Sequence, residues 1–167
     1  MKILYFDTLS LFYSQQYIRS DKSISQAYED WRCGSPVNLL KVVTPDLAGV
    51  ERLRRAAIEA GFKLYPLGTR YTRTLFIESG LFAEEDLAPD VMLRIRMDDS
   101  DPLRRMIAHA HALNASWYVC GDSETELLEV YPERYLTSTF GLGVTSELIS
   151  KVRALSTVYH YRSGKCN

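Results

Sequence analysis

The chain has 167 residues, which suits one domain with a substantial hydrophobic core. Hydrophobic residues make up 46% of the sequence and charged residues 25%, as in an ordinary globular protein. The formal net charge is only -1, so the composition argues against a generally basic surface of the kind that binds nucleic acid or anionic membranes.

Membrane and disulfide classes are also disfavoured. No apolar stretch approaches the roughly 18 residues that a membrane-spanning helix needs. Cys33, Cys120 and Cys166 are too scattered for a metal site or a disulfide framework. The sequence begins on a strand-like run rather than a signal peptide. We therefore expect a single cytoplasmic domain over residues 1–167, without a membrane partner.

Apolar runs of strand length alternate with amphipathic helical patterns along the chain. This alternation is typical of βαβ units. It predicts an α/β fold, a three-layer sandwich with a mostly parallel Rossmann-like sheet. The predicted strands are 2–6, 62–67, 91–96, 116–121 and 135–138, and the main predicted helices are 45–60, 102–114 and 145–155.

Other segments are less regular. Ala27, Tyr28 and Trp31 share one face of a possible helix within a cap-like insertion that we place at about residues 8–44. Short helices are predicted at 74–82 and 124–130. The last dozen residues are expected to form a polar tail or an edge strand.

Two aspartates stand at the ends of predicted central strands. Asp7 follows Ile3–Phe6, and Asp122 follows Trp117–Gly121. In an open parallel sheet, ligands bind in the crevice beyond the carboxyl ends of the strands. Two carboxylates there suit Mg²⁺ and, through it, a phosphate group. The alternative is that both aspartates only cap loops.

Further acidic and histidine residues carry less functional weight. Asp98, Asp99 and Asp101 form an acidic cluster, but Asp101 followed by proline is more typical of a helix start. His109 and His111 are two residues apart, so they do not share a helix face. We expect both histidines at the surface.

Four stretches, in their order and spacing, resemble the haloacid dehalogenase-like (HAD) superfamily. The resemblance extends from Ile3 to about Leu155 and is greatest to the short HAD-like domains of RNA-repair-type and small phosphatase-like proteins. The stretches are Ile3–Asp7, Leu64–Arg70, Val119–Glu126 and Thr137–Leu142.

The resemblance implies the roles of the acidic residues. The first-strand aspartate of that superfamily attacks phosphorus and forms an aspartyl-phosphate, which assigns this role to Asp7. The Mg²⁺ ligands it implies are the carboxylates of Asp7, Asp122 and Glu126 and the backbone carbonyl of Leu9.

The resemblance also suggests phosphate-binding and charge-neutralising residues. Thr69 is the candidate phosphate-binding hydroxyl, and Thr8 and Arg70 are further substrate-binding candidates. The usual lysine is not evident; Arg104 and Arg105 lie near its expected place. Arginine offsets charge with a different geometry from lysine.

Leu9 departs from the pattern, because hydrolases of this superfamily usually carry a second aspartate there as general acid and base. Leucine can transfer no proton. Three interpretations follow: a weak Mg²⁺-dependent phosphohydrolase or phosphotransferase, an inactive HAD-like binding domain, or a PIN- or NYN-like nuclease. The near-neutral charge and the run Thr137–Leu142 argue against the nuclease. The predicted partner is a phosphorylated small molecule or a nucleic-acid end.

Overall fold

A computed structural model describes residues 1–96, 101–122 and 129–162, with side chains to residue 156. The predicted fold class is confirmed: four parallel strands form one sheet in the order β2-β1-β3-β4, with helices on both faces. Within the described residues, no helix is both long and apolar enough to cross a lipid bilayer. The strands are β1 Lys2–Phe6, β2 Lys63–Pro66, β3 Ser116–Gly121 and β4 Tyr135–Thr137.

The helices occupy the connections between the strands. Five precede β2, two lie between β2 and β3, and one follows β4 within the described part of the chain. They are α1 Thr8–Phe12, α2 Gln15–Ser20, α3 Lys22–Arg32, α4 Leu39–Val42, α5 Leu47–Glu59, α6 Arg73–Glu78, α7 Pro102–Ala112 and α8 Ser146–Arg162.

Alternating residues of β1 supply both halves of the core, because successive side chains of a strand point to opposite faces. Leu4 and Phe6 are fully buried in the larger cluster, which also contains buried residues of α5 and α8. Ile3 and Tyr5 are buried on the opposite face against α7. These two apolar clusters make the sandwich three-layered.

The segment 8–44 shares the larger cluster. Phe12 of α1 packs 5.4 Å from Phe6, centroid to centroid, and Leu39 of α4 is fully buried in the same cluster. The Asn38 side chain donates a hydrogen bond to the Arg70 carbonyl at 2.8 Å. This part of the insertion is thus continuous with the core and fixed to the loop after β2.

Three sequence predictions about the elements need correction. Residues 91–96 do not join the sheet, because the outer edge of β2 is covered by Leu87, which bridges to Leu64. The C-terminal helix continues to Arg162 rather than ending at 155, since no proline or glycine interrupts it before Gly164. Pro45 precedes the helix that it was expected to open, and Asp46 caps that helix.

Candidate functional site

The carboxyl ends of β1 and β3 lie side by side. The two strands pair in parallel with Phe6 opposite Cys120, and the Asp7 amide extends this pairing by donating to the Cys120 carbonyl at 3.0 Å. The chain leaves β1 towards β2 and leaves β3 towards β4, on opposite sides. Asp7 and Asp122 therefore follow the two strands that flank the topological switch point, where open α/β sheets bind ligands.

Asp7 begins helix α1 without capping it. The residue occupies the N-cap position, but its side chain accepts no capping hydrogen bond from the helix. Its carboxylate is half-buried and follows β1 on the face of Tyr5. Gly121 makes room for it, because a Cβ on that glycine would lie 3.1 Å from the Asp7 Cβ. The capping alternative thus does not explain Asp7.

Asp122 is held by the loops around it. Its Oδ2 accepts a hydrogen bond from the Gly141 amide at 3.2 Å. Its own amide donates to the Ser10 Oγ at 3.4 Å. Capping of the loop therefore accounts for one of the two carboxylate oxygens of Asp122. The contact with Ser10 ties α1 to the end of β3.

The remaining candidate metal ligands are the Leu9 carbonyl and several acidic side chains. The Leu9 carbonyl accepts the Tyr13 amide at 3.1 Å, which leaves one of its two lone pairs. Asp101 caps α7 by accepting from the Leu103 and Arg104 amides, as predicted. Glu126, Asp98 and Asp99 lie outside the described residues. Within the described part of the chain, no group of three potential metal-binding side chains occurs.

Two buried hydroxyls close to Asp7 lack hydrogen-bond partners among the described residues. They are the Thr8 Oγ1 and the Tyr71 Oη, and their residues are 1% and 5% exposed. The pKa of Tyr71 is raised to about 12, mainly by burial and to a smaller extent by Tyr28 and Asp7, while Arg70 opposes the shift. The Tyr71 hydroxyl consequently remains a donor at neutral pH, within electrostatic reach of Asp7.

The remaining predicted residues fall into two sets. Thr69 and Arg105 line a cavity that opens beside the end of β2. Arg70 is exposed next to Tyr71. Arg104 points to the surface, where its Nε pairs with Asp101 at 3.2 Å. Of the two arginines near the expected lysine position, only Arg105 faces the cavity.

This cavity has a volume of about 610 Å³ and an aromatic floor. The floor consists of Tyr5, Tyr65 and His109, with the Tyr65 and His109 rings stacked at 4.0 Å. Tyr71 also lines the cavity, which connects it to the surroundings of Asp7. Because Tyr5 and Asp7 share one face of β1, the cavity and the carboxylate lie on the same side of the sheet.

His109 is buried, at 3% exposure, so its predicted surface position is wrong. Its Nε2 lies 2.9 Å from the Pro89 carbonyl, and its Nδ1 lies 2.7 Å from the Tyr5 hydroxyl. A carbonyl only accepts, so Nε2 carries hydrogen and Nδ1 of the neutral ring accepts from Tyr5. Burial lowers the pKa of His109, although the Pro89 carbonyl and Asp90 oppose this shift.

Sequence reasoning missed Tyr71 and His109. The spacing Met106, His109, Ala110 placed the histidine on the buried stripe of α7, and that signal was available. Tyr71 follows an irregular loop, and no local pattern marks it as buried.

Carboxylates that follow two adjacent strands, as Asp7 and Asp122 do, are of the kind that bind Mg²⁺, which often takes one or two carboxylates together with water and substrate phosphate oxygens. Comparison with known sequence families, curated proteins and solved structures gave no match to this chain. The resemblance to the HAD superfamily therefore stays a prediction.

Proposed function

We propose that this protein is a HAD-type, Mg²⁺-dependent phosphohydrolase or phosphotransferase with Asp7 as its nucleophile. The observation that carries the proposal is the position of Asp7. Asp7 follows β1, a central strand next to β3, and its carboxylate makes no capping hydrogen bond. A helix-starting aspartate that does not cap calls for another explanation of its position.

The reaction would proceed in two displacements. An Asp7 oxygen attacks phosphorus while the bond to the leaving oxygen breaks, which gives an aspartyl-phosphate. Water, or another acceptor hydroxyl, then takes the phosphoryl group and restores the carboxylate. The Asp7 and Asp122 carboxylates would hold Mg²⁺, which when bound offsets the negative charge of the phosphoryl oxygens.

Donors around Asp7 support phosphoryl binding. The hydroxyls of Thr8 and Tyr71 have no hydrogen-bond partner among the described residues, and a buried donor without a partner costs stability unless a ligand satisfies it. Arg70 adds a positive charge near Tyr71. We assign these groups to the phosphoryl oxygens.

Leu9 limits the reaction. Its side chain cannot protonate the leaving oxygen, and general acid catalysis is worth about 10²–10⁴-fold in rate where a proton is needed. We therefore expect slow turnover that favours leaving groups stable as anions.

A phosphate-binding domain without turnover is the second candidate. Leu9 favours it, and so does the Asp122 oxygen that is already bonded to the Gly141 amide. A panel of phosphate esters, assayed with and without Mg²⁺, separates the two functions. Mg²⁺-dependent release of phosphate that disappears in Asp7→Asn supports the enzyme. Phosphate binding without release supports the binding domain.

A further inference from the structure

We infer that the cavity at the end of β2, on the same side of the sheet as Asp7, binds the organic group of an aryl phosphate, a small phosphate monoester of a phenol with a fused or extended ring system. The inference rests on the proposed function and names its substrate class. It combines the chemistry of the cavity with the lack of a general acid at Leu9.

Among the three rings of the floor, Tyr65 is partly exposed while Tyr5 and His109 are 1% and 3% exposed, and the polar atoms of all three rings are paired. The Tyr5 hydroxyl pairs with His109, and the Tyr65 hydroxyl donates to Asp90 at 2.6 Å. The second ring nitrogen of His109 pairs with the Pro89 carbonyl. A polar ligand group placed on this floor would lose water without gaining a partner, which is costly. An aromatic ring meets no such penalty and can stack or pack edge-on against the rings.

One wall of the cavity is apolar. Residues 91–96 lie outside the helices and strands, and Val91, Leu93 and Ile95 of this segment line the cavity, while Met92 is 93% exposed. The alternation that suggested a strand thus directs three aliphatic side chains at the cavity. Polar groups, including the Thr69 and Thr72 hydroxyls, also line it and can meet ring substituents.

The size of the cavity selects among aryl groups. A volume of about 610 Å³ is within the range of pockets that hold drug-sized molecules and exceeds the needs of a single benzene ring. A larger ring system would fill more of the floor and wall. Tyr71, which lines the cavity and is influenced by the Asp7 charge, marks the junction where the phosphoryl group would sit.

The lack of a general acid at Leu9 also favours aryl phosphates as the substrate class. In the first displacement the phosphorus–oxygen bond to the substrate breaks, and its electron pair stays on the leaving oxygen. A phenolate carries that charge on its ring system and takes a proton later from water. An alkoxide would need the proton during bond breaking, and Leu9 cannot supply it.

The test compares two aryl esters with leaving groups of similar acidity. The substrates are 4-nitrophenyl phosphate, with one ring, and 4-methylumbelliferyl phosphate, with two; glycerol phosphate represents alkyl esters. We expect kcat/KM to be highest for the two-ring ester and lowest for glycerol phosphate. Leu93→Gln should lower kcat/KM for the two-ring ester about tenfold, the scale of a lost apolar contact in a specificity pocket. Met92→Gln, on the outer side of the same segment, is the matched control and should change it less than about twofold.

Binding is measured separately from turnover. Isothermal titration of metal-free Asp7→Asn with 4-methylumbelliferyl phosphate should show binding that the added Leu93→Gln substitution weakens by a similar factor. If native protein cleaves esters with Mg²⁺ but Leu93→Gln and Met92→Gln behave alike, the proposed function stands and the cavity assignment is wrong. If no ester is cleaved but binding depends on Leu93, the proposed function fails and the aryl-phosphate pocket stands. Faster cleavage of a phosphotyrosyl peptide than of the two-ring ester would overturn the assignment to small molecules.

Discussion

Replacing Tyr71 by phenylalanine should stabilise the protein while impairing its site. The substitution removes a buried hydroxyl that has no hydrogen-bond partner among the described residues and leaves the packed ring in place. An unsatisfied buried polar group costs about 1–3 kcal/mol, so its removal should raise the free energy of unfolding by up to about that amount. For a chain of this length, 1 kcal/mol corresponds to about 2–4 °C in melting temperature.

Tyr13 provides the matched control. It is also buried, but its hydroxyl donates to the Val43 carbonyl at 2.7 Å. Tyr13→Phe therefore leaves a buried acceptor without its donor and should lower the free energy of unfolding by about 1–3 kcal/mol. The two variants lose the same atom type from the same core cluster, so they should shift stability in opposite directions.

Urea unfolding followed by circular dichroism measures both variants against the native chain, and phosphate release measures activity. Phosphatase activity should fall in Tyr71→Phe, because the lost donor lies within electrostatic reach of Asp7, the proposed nucleophile, and should persist in Tyr13→Phe. Stability gained with activity lost is typical of a functional residue that strains its fold. If Tyr71→Phe destabilises the protein as much as Tyr13→Phe, the Tyr71 hydroxyl has a structural partner and the reasoning is refuted.

Three further predictions concern the metal, the missing acid and the buried histidine. By mass action, millimolar Mg²⁺ should raise the melting temperature of the native chain and of the surface control Asp30→Asn, but not that of Asp122→Asn. Equal shifts in melting temperature for Asp122→Asn and the native chain would show that Asp122 does not belong to the site. Leu9→Asp should raise kcat/KM for glycerol phosphate by about 10²-fold and should raise it less for aryl esters. Asp7→Asn should abolish both activities. Unchanged turnover of glycerol phosphate in Leu9→Asp would show that no acid can act from position 9. Burial lowers the pKa of His109 in the folded protein below its usual 6.5. The free energy of unfolding should therefore fall as the pH drops from 6.5 through this lower, folded-state pKa. This loss of stability should be smaller in His109→Gln. If urea unfolding gives the same pH dependence of the free energy of unfolding for both proteins, the prediction is wrong.

Local pattern was sufficient for the central sheet and insufficient beyond it. The apolar runs of β1 and β3 predicted central parallel strands, and both strands are central in the sheet. The run of β2 correctly predicted a parallel strand, but β2 lies at the edge of the sheet rather than at its centre. Residues 91–96 show the limit. Their alternation correctly indicated one inward and one outward side, but a sequence pattern does not reveal whether the inward side meets a strand or a cavity. The edge that they would have joined is occupied by Leu87, a long-range fact.

The residues of the candidate site also divide into those that local sequence pattern predicted and those that depend on tertiary packing. Asp7 and Asp122 were predictable because each ends a recognisable strand, and neighbouring parallel strands end at one edge. The role of Gly121 could not be predicted, because it depends on the register of β1 and β3, in which a Cβ added to this glycine would lie 3.1 Å from the Asp7 Cβ. Tyr71 comes next to Asp7 through a loop tied by Asn38 of the insertion, so its position depends on the packing of three separate segments.

Leu9 and the cavity together bear on the substrate of the proposed phosphatase. The proposed enzyme lacks, at Leu9, the acid that alkyl esters would need, and the cavity on the same side of the sheet as Asp7 presents aromatic and aliphatic surface together with its polar groups. Each feature alone is compatible with an inactive domain. Their combination favours one substrate class, because a phenol both needs no proton when it leaves and fits an apolar floor. The buried hydroxyls of Thr8 and Tyr71, which have no hydrogen-bond partner among the described residues, carry a stability cost that a bound phosphoryl group would offset, and this favours a ligand-binding site over a domain that has only lost its chemistry.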